Sequence, residues 1–318
     1  MPIGTRKEEK TVTKVFIDGS AGTTGLRIHE RLATRNDVEL IRLDEARRKD
    51  PEARKDALFA ADVAFLCLPD AAAIEAVALA EGSHVSIIDT STAHRTNPAW
   101  AYGFPELAGA REKIAASKRI ANPGCHASGF IALIAPLVRA GLLAPDTPLS
   151  CTSLTGYTGG GKKMIAEYED ADRDPLLNAP RAYGLSQTHK HLPEITAVCG
   201  LTRTPIFQPI VAPFACGMEV SVGLFADQIK GNLDDVRDVL RAAYKTGLVR
   251  FVEHADESGF LSAGAFAGRD DMQVTVVGND ERILLVSRFD NLGKGASGSA
   301  IQNMNILLGL DETTGLCV

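Results

Sequence analysis

Apolar runs and helical patterns alternate along the first 90 residues of the chain. Short apolar runs are typical of strands, and apolar positions that recur at helical spacing are typical of helices. The pattern predicts strands at Lys14–Asp18, Val38–Leu43, Ala61–Leu68 and Ser86–Asp89, with helices at Leu26–Ala33 and Ala71–Ala80. Strands that alternate with helices at these intervals indicate βαβ units and a parallel sheet.

The pattern changes after Cys125, where several strands follow one another. Helices are predicted at His126–Ala140, Leu233–Thr246 and Ala300–Leu308. The predicted strands are Leu149–Leu154, Ile210–Pro213, Glu219–Phe225, Gln273–Gly278 and Arg282–Arg288. This order predicts an α/β protein in which a Rossmann-type dinucleotide-binding domain precedes an α+β catalytic domain with a mixed or antiparallel sheet.

Length, composition and charge narrow the class of protein. A chain of 318 residues, with 45% apolar and 23% charged residues, is typical of a soluble enzyme of more than one domain. The net charge of −6 argues against nucleic acid or an anionic membrane as the default partner. Met1–Thr11 is polar, unlike a secretory signal, and no apolar run is long enough to span a membrane. The six cysteines are scattered without a CxxC pair, as in a reducing compartment, so we expect a cytoplasmic location.

A glycine-rich turn joins the first predicted strand to its helix. It has the spacing GxxGxxG and consists of Gly19, Ser20, Ala21, Gly22, Thr23, Thr24 and Gly25. Glycines let the backbone approach a pyrophosphate, and the helix N-terminus offers unpaired N–H groups to the anion. The turn therefore predicts a dinucleotide site, and the alternative is a turn without a ligand.

The residues after the second predicted strand leave the identity of the dinucleotide open. Asp44 lies roughly 20 residues beyond the turn, where a carboxylate would bind the ribose hydroxyls of NAD. Three nearby cations would instead bind the 2′-phosphate of NADP, namely Arg42, Arg47 and Arg48.

Cys125 is the candidate nucleophile. The preceding Asn122-Pro123-Gly124 forms a sharp turn that holds the thiol at the start of a predicted helix. The positive end of the helix dipole lowers the pKa of a thiol and favours the thiolate. The alternative is a buried structural cysteine, which is our interpretation of Cys67, Cys199 and Cys216.

A cluster of ionisable residues lies at positions 189–194. His189 and His191 flank Lys190, and Glu194 follows. Histidine titrates near neutral pH, so either imidazole is a candidate proton shuttle, and Glu194 is expected to orient His191 or to bind a substrate cation or water. A zinc site is disfavoured because no third ligand has suitable spacing, so we predict no metal. A solvated polar loop is the remaining alternative.

Two further glycine-rich segments contain lysines, Thr155–Lys163 and Asp290–Gly295. Backbone N–H groups beside an ammonium group can hold a phosphate. The candidate binding residues in these segments are Gly156, Lys162, Asn291 and Lys294. Neither segment matches a P-loop, and each taken singly is more typical of a hairpin turn.

Six motifs in one order give the sequence a family resemblance. They are Gly19–Gly25, Asp89–Arg95, Tyr102–Leu107, Asn122–Cys125, His189–Ile195 and Asp290–Ala296. In this order they resemble the N-acetyl-gamma-glutamyl-phosphate reductases of arginine biosynthesis, in their shorter variety. The resemblance extends from about residue 14 to residue 308, which is nearly the whole chain.

The resemblance implies NADPH-dependent reduction of N-acetyl-glutamyl 5-phosphate to the 5-semialdehyde, with release of phosphate. It implies a thioester on Cys125 and acid/base catalysis by His191, with His189 as the second choice. It favours NADPH bound by the three arginines over NAD bound by Asp44. The substrate-binding residues are expected to be Ser91, Arg95, Asn122, Gly156 and Lys162, and Asn291 and Lys294 are assigned to the cofactor.

The resemblance also implies a division into domains. The last helix is expected to return to the nucleotide domain, which would comprise residues 1–124 with 297–318. Residues 125–296 would form the catalytic and oligomerisation domain. We therefore expect a homo-oligomer, either a dimer or a tetramer.

The chain departs from the family pattern at two places. The family usually has Tyr-Pro-Thr after the cysteine, where this chain has His126-Ala127-Ser128, and its Asp-Phe-Arg is replaced by Ala93-His94-Arg95. These changes leave open whether the acyl group is N-acetyl-glutamyl or a longer homologue used in lysine synthesis. Two other interpretations remain: an aspartate-semialdehyde dehydrogenase, and a non-catalytic module that senses nucleotides.

Overall fold

A parallel sheet occupies the first part of the molecule. The computed structural model describes residues 12–318. Within them, the first sheet contains β1 (Thr13–Asp18), β2 (Val38–Ile41), β3 (Val63–Leu66), β4 (Ser86–Asp89), β5 (Ala101–Tyr102) and β6 (Arg119–Ala121). The strand order is β2-β1-β3-β4-β6-β5, and the paired strands are parallel. The helices between them are α1 (Thr23–Leu32), α2 (Pro51–Ala60), α3 (Asp70–Leu79) and α4 (Ala110–Ala116).

Helices cover both faces of this sheet. Alternate residues of β1 therefore enter two different cores. Val15 and Ile17 pack in one core with Ile28 of α1. Phe16 packs in the other core with Leu58 of α2. A strand that is buried on both faces is apolar throughout, which is the reason that β1 and β3 have near-continuous apolar sequences.

The chain then forms α5 (Cys125–Arg139) and a second sheet, which is mixed. Its strands are β7 (Ser150–Gly156), β8 (Arg181–Ala182), β9 (Ile206–Ala212), β10 (Met218–Phe225), β11 (Val249–Phe251), β12 (Met272–Gly278) and β13 (Arg282–Phe289), in the order β11-β12-β13-β10-β7-β9-β8. β7 pairs with β9 and β11 pairs with β12 in parallel, and the other pairs are antiparallel. The intervening helices are α6 (Gly161–Glu169), α7 (Leu192–Val198) and α8 (Leu233–Ala243). Because α5 packs on β10 and β13 and α8 packs on β12, helices cover one face of this sheet.

The end of the chain returns to the first sheet. Beyond β13, a short π-helical turn (Gly293–Ser297) leads into α9 (Gly298–Leu307), which packs against α1, α4 and β4. Asn303 of α9 is buried and donates hydrogen bonds of 3.0 Å to the Asn122 side chain and to the Gly103 carbonyl. The last helix therefore also supports the turn that precedes α5.

The structure confirms the predicted fold class and corrects two local predictions. Neither Thr155–Lys163 nor Asp290–Gly295 is a hairpin turn, because the first leads through a 3₁₀ turn into α6 and the second leads into α9. Helices α2, α4, α6 and α7 have no counterpart among the predicted elements. In residues 12–318, no helix is both long and apolar enough to cross a membrane. Met1–Thr11, predicted not to be a secretory signal, lies outside the described residues.

Candidate active site

The carboxyl ends of the parallel strands define a cleft. The strand order reverses between β1 and β3, and open α/β sheets bind ligands at such a position. The glycine turn follows β1, Cys67 follows β3, Thr90 follows β4 and Asn122 follows β6. The topology therefore collects residues from four separate parts of the sequence at one edge of the sheet.

Three adjoining hollows run along this edge. The outer groove, about 870 Å³, is lined by Gly19–Gly22 and by residues that follow β2. The middle hollow, about 270 Å³, lies between the glycine turn and three residues that follow β7, namely Thr158, Gly159 and Gly161. The inner cavity, about 370 Å³, surrounds Cys125. Neighbouring hollows share lining residues, among them Leu68 at the first junction and Thr90 at the second, so they form one continuous cleft.

The glycine turn has the geometry that a dinucleotide requires. Gly19 has a φ of 87°, and a Cβ there would overlap the carbonyl oxygen of Cys67. A Cβ at Gly25 would lie 2.5 Å from the Gly19 carbonyl oxygen. No side chain caps the start of α1 after Gly22, and the buried Thr23 hydroxyl has no hydrogen-bond partner within the described chain. Unsatisfied groups at a helix N-terminus fit a pyrophosphate.

The three arginines that are predicted to bind the nucleotide do not all line the outer groove. Arg42 and Arg48 line the outer groove, although Arg48 is also 3.4 Å from Glu45. Arg47 is paired with Asp50 at 3.1 Å and does not line the groove. Lys162, which we expected to bind substrate, lines this outer groove and not the cavity around the thiol. The structure therefore places Lys162 at the predicted nucleotide site and away from the predicted substrate site.

Cys125 is the first residue of α5, and Gly124 is the N-cap. Burial raises the pKa of the thiol, while the His126 N–H, Arg95 and Lys190 act in the opposite direction. Desolvation therefore outweighs the helix terminus and the two cations, and the thiol pKa is raised where the sequence predicts a lowered one. Such a thiol needs an adjacent base to become a nucleophile.

A buried ion pair holds the turn before the thiol. Arg95 donates to Glu194 at 3.0 Å and to the Asn122 carbonyl at 2.9 Å. Glu194 also accepts from the Tyr102 hydroxyl at 2.7 Å and from the Gly124 N–H at 2.9 Å. Glu194 bonds to no histidine among the described residues and does not line the inner cavity, so its position argues against the predicted role in orienting His191 or binding substrate. Glu194 positions Arg95 and the glycine that precedes the nucleophile.

Three histidines lie together beside the thiol, with ring centroids between 4.8 and 5.7 Å apart: His126, His189 and His191. Burial lowers the pKa of His126 to about 3 and that of His191 well below its usual value, so both rings are neutral at pH 7. The Nδ1 atom of His189 accepts the His191 N–H at 3.2 Å, which places the proton of a neutral His189 on Nε2. A neutral imidazole can accept the proton of a thiol.

Acidification is expected to destabilise the protein through these histidines. Unfolded His126 and His191 bind protons below about pH 6.5, whereas the folded chain keeps them neutral. The unfolded state then binds more protons, so the free energy of unfolding is highest above this pH and falls by up to about 1.4 kcal/mol per pH unit and histidine below it. Urea unfolding as a function of pH measures this dependence.

His126→Gln is expected to reduce the pH dependence of the free energy of unfolding, and His84→Gln serves as the control because His84 is exposed. Equal pH slopes for the wild type and His126→Gln would contradict this account of the buried rings.

Because Gly124 has no side chain, His191 and Arg95 can pack directly against the turn. A Cβ at Gly124 would overlap Nε2 of His191 and would lie 2.5 Å from Nη1 of Arg95. Gly124→Ala is therefore expected to lower the kcat of the reaction at Cys125 by about 10²-fold, because a displacement of His191 or Arg95 by the order of 1 Å has an effect of this size. Steady-state kinetics measure this loss. The matched control is Gly264→Ala, because that Cβ would lie 3.7 Å from its nearest neighbour; equal activities of the two variants would refute the prediction.

The other predicted substrate residues differ in position. Arg95, Asn122 and Gly156 line the inner cavity. Ser91 lines the middle hollow instead, and its hydroxyl donates to Asp89 at 2.7 Å. Asn291, predicted to bind the cofactor, also lines the inner cavity, where its amide bonds to the Gly217 N–H and to the Thr158 hydroxyl.

Lys294 is not available to a ligand. Its side chain is fully buried and donates to Glu106 at 2.7 Å and to Gln302 at 2.6 Å. The predicted role of Lys294 in cofactor binding is wrong, because its charge is neutralised inside the protein. A buried lysine requires such a partner, and this pair joins the π-helical turn to the loop that carries Glu106.

Three ionisable residues that line the inner cavity are not among the predicted site residues: His126, Tyr183 and Lys190. His126 adjoins the nucleophile in the sequence, and Lys190 lies between the two predicted histidines, so both positions carried a signal. Tyr183 had none, because the fold alone brings it to the thiol.

The parallel sheet, the glycine turn and the thiol at a helix start define a dehydrogenase of the semialdehyde dehydrogenase class. Two family models match the chain accordingly. Residues 14–117 match the model described as semialdehyde dehydrogenase, NAD binding domain. Residues 125–291 match the model described as semialdehyde dehydrogenase, dimerisation domain.

Two relatives narrow this class. A protein of Brucella ovis named N-acetyl-gamma-glutamyl-phosphate reductase is 49% identical over 93% of this chain and 99% of its own. A protein of the same name from Brucella anthropi is 50% identical over 93% of this chain and 98% of its own. The chain belongs to the N-acetyl-gamma-glutamyl-phosphate reductase family.

Solved structures share the fold at much lower identity. Aspartate semialdehyde dehydrogenase II of Vibrio cholerae has a TM-score of 0.70 and 17% identity, over 93% of this chain and 98% of its own. The enzyme of Francisella tularensis has a TM-score of 0.69 and 14% identity, over 93% of this chain and 100% of its own.

Proposed function

We propose that this protein reduces N-acetyl-glutamyl 5-phosphate to N-acetyl-glutamate 5-semialdehyde with NADPH and releases phosphate. One observation carries the proposal: a continuous cleft runs from the glycine turn to Cys125, with neutral histidines beside the thiol. The names of the relatives support the choice of substrate. In this proposal, residues 1–124 with 297–318 form the NADP-binding domain, and residues 125–296 form the catalytic and oligomerisation domain.

The thiol and the imidazole have complementary roles. His191 accepts the proton of Cys125, whose sulfur attacks the acyl carbon and forms a C–S bond as the C–O bond to phosphate breaks. A bound nicotinamide would supply the hydride that reduces this thioester. The resulting tetrahedral oxyanion collapses to the aldehyde and the Cys125 thiolate, to which His191 returns the proton. His189 is the second choice for this role.

Lys190 is assigned to the phosphate of the substrate. The cations that line the inner cavity are Arg95 and Lys190. The charge of Arg95 is neutralised by Glu194, whereas no carboxylate among the described residues forms an ion pair with Lys190. Lys190 also lines the middle hollow, so an exposed ammonium lies at the junction where the leaving phosphate would exit.

The preference for NADPH rests on the outer groove. Arg42 follows β2 directly and Arg48 lines the same groove, whereas Asp44 does not. Cations at this position suit a 2′-phosphate, and a carboxylate would suit the free ribose hydroxyls of NAD. Lys49 and Lys162 also line the groove, which brings the cations to four, and the one carboxylate of residues 42–49 that lines it, Glu45, is paired with Arg48.

Oligomer formation is proposed through the second sheet. α5 and α8 cover one face of this sheet, and the large apolar side chains Ile206, Phe225 and Leu284 on its strands are exposed. The family model for this part of the chain is described as a dimerisation domain. Sedimentation should show a dimer or tetramer, and the cytoplasmic location stays a prediction.

The proposed function is tested by turnover of acyl phosphates. The purified protein is supplied with NADPH and N-acetyl-glutamyl, aspartyl or longer homologous acyl phosphate, and NADPH consumption is followed by absorbance. We expect a kcat/KM for the N-acetyl-glutamyl compound at least about tenfold above the others, and a similar preference for NADPH over NADH.

A preference for aspartyl phosphate would assign the chain to the aspartate-semialdehyde reaction, and a preference for the longer compound would assign it to the lysine-type reaction. Binding of NADPH without turnover of any of them would support the nucleotide-sensing module and overturn the proposal.

A further inference from the structure

A chain of hydrogen bonds joins Ser153, His126 and Tyr183 behind the thiol. The Ser153 hydroxyl lies 2.6 Å from Nδ1 of His126, and the Tyr183 hydroxyl lies 2.6 Å from Nε2. Ser153 and His126 are buried, whereas Tyr183 is half-buried and lines the cavity around Cys125. Proposed catalysis by His191 and Cys125 leaves these three residues without a role.

The burial of Ser153 determines the direction of these hydrogen bonds. Burial lowers the pKa of His126 to about 3, so the ring is neutral and has one donor and one acceptor nitrogen. If Nδ1 donated to Ser153, the hydroxyl hydrogen of Ser153 would have no acceptor among the described residues. A buried donor without an acceptor is strongly unfavourable. Ser153 must therefore donate to Nδ1, which leaves the ring proton on Nε2.

This tautomer directs the proton of Tyr183. The Nε2–H of His126 donates to the phenol oxygen, so the phenol hydrogen must point away from His126. Tyr183 lines the inner cavity, and a charged Cys125 raises the pKa of its hydroxyl in addition to the larger effect of burial. The phenol is therefore protonated and close to the nucleophile.

The backbone at the start of α5 has fewer free donors than a helix start usually offers. The Gly124 N–H donates to Glu194, and the His126 N–H is directed at the Cys125 sulfur. Two of the N–H groups that would otherwise bind a developing oxyanion are thus engaged within the protein. A preorganised donor aimed at that oxygen is among the largest contributions to acyl-transfer catalysis.

We propose that Tyr183 is a catalytic residue that donates a hydrogen bond to the acyl oxygen of the substrate, and that Ser153 and His126 are positioning residues that direct its hydroxyl proton into the cavity. The proposal rests on the thioester chemistry proposed above. His126 stands at one of the two places where the sequence departs from the family pattern. The same donor serves thioester formation and thioester reduction, because both pass through an oxyanion on the same carbon.

Nitrogen-15 NMR of histidine-labelled wild-type protein tests the tautomer without any assay of activity. The two signals that disappear in His126→Leu belong to His126. We expect one protonated nitrogen, Nε2, and one bare nitrogen, Nδ1. A His126 ring that is protonated on Nδ1 would overturn the proposal.

Kinetics test the consequence for catalysis. Tyr183→Phe is expected to lower kcat by about 10²-fold, the effect of removing one oxyanion donor, with KM and the Kd of NADPH changed by no more than about twofold. His126→Leu is expected to lower kcat by up to the same factor, and to cause no further loss in the Tyr183→Phe background, because it acts through the phenol. Additive losses would show a merely structural role for His126 and would refute the relay.

Matched controls separate these effects from the loss of a buried hydroxyl. Tyr244→Phe removes a hydroxyl bonded to the Ala132 carbonyl, and Ser287→Ala removes one bonded to the Gly129 carbonyl. Both should keep the wild-type kcat. If wild-type protein turns over acyl phosphate but Tyr183→Phe is unimpaired, the inference fails and the proposed function stands. If the wild type turns over none, the proposed function fails, while the NMR result still decides the tautomer.

Discussion

Cys125→Ser is expected to lower acyl-phosphate-dependent NADPH oxidation by about 10⁴-fold or more, because the nucleophile of a covalent mechanism has no substitute in the cavity. Serine keeps the size of the side chain, so the glycine turn and the outer groove should be unchanged. The Kd of NADPH, measured by fluorescence, is therefore expected to stay within about twofold of the wild type. Trapping of a radiolabelled acyl group on the protein should also disappear.

Cys317→Ser is the matched control, since Cys317 is an exposed cysteine remote from the cleft. This variant should keep full activity and should still form the acyl-enzyme. Turnover that survives in Cys125→Ser would remove the covalent step from the proposed function. Loss of NADPH binding in the same variant would instead show that the substitution had damaged the cleft.

His191→Asn is expected to lower kcat by about 10²- to 10⁴-fold, the usual contribution of a general acid/base. The thiol has a raised pKa and needs a base, and burial keeps His191 neutral and able to accept a proton. The variant should regain activity at higher pH, where hydroxide removes the thiol proton without help. A pH profile of kcat measures both effects.

His189→Asn and His84→Asn complete this experiment. His84 is exposed and outside the cleft, so its replacement should leave kcat unchanged. His189→Asn is expected to lower kcat less than His191→Asn does, because Nδ1 of His189 is already bonded to the His191 N–H. A larger loss in His189→Asn than in His191→Asn would transfer the acid/base role to His189.

Charged residues show where inference from sequence fails. The residue type and the sequence neighbours of Glu194 and Lys294 predict that each of them contacts a ligand. Glu194 is 99 residues from its partner Arg95, and Lys294 is 188 residues from Glu106. Nothing local in the sequence distinguishes a charge that faces a ligand from one that is neutralised by a distant partner, because burial and pairing are properties of the packed chain.

The prediction of the thiol pKa is wrong for a related reason. The sequence places Cys125 at a helix start, which correctly indicates an electrostatic field that favours the thiolate. Desolvation acts in the opposite direction and is larger here. Its size depends on how many atoms surround the sulfur, and residues from α5, the π-helical turn and the segment around His189 all line that cavity.

The amino-acid sequence by itself determined the parallel sheet, the glycine turn, the second mixed sheet and the placement of Cys125 at the start of a helix. These features depend on local periodicity and on backbone conformations that only certain residues adopt, so they are visible in short segments. Tertiary structure decided which polar groups face the cleft: it brought Tyr183 and His126 to the thiol and withdrew Glu194 and Lys294 from it. The reason is that the exposure, charge state and hydrogen-bond direction of a side chain depend on partners that are distant in the sequence and close only in the folded protein.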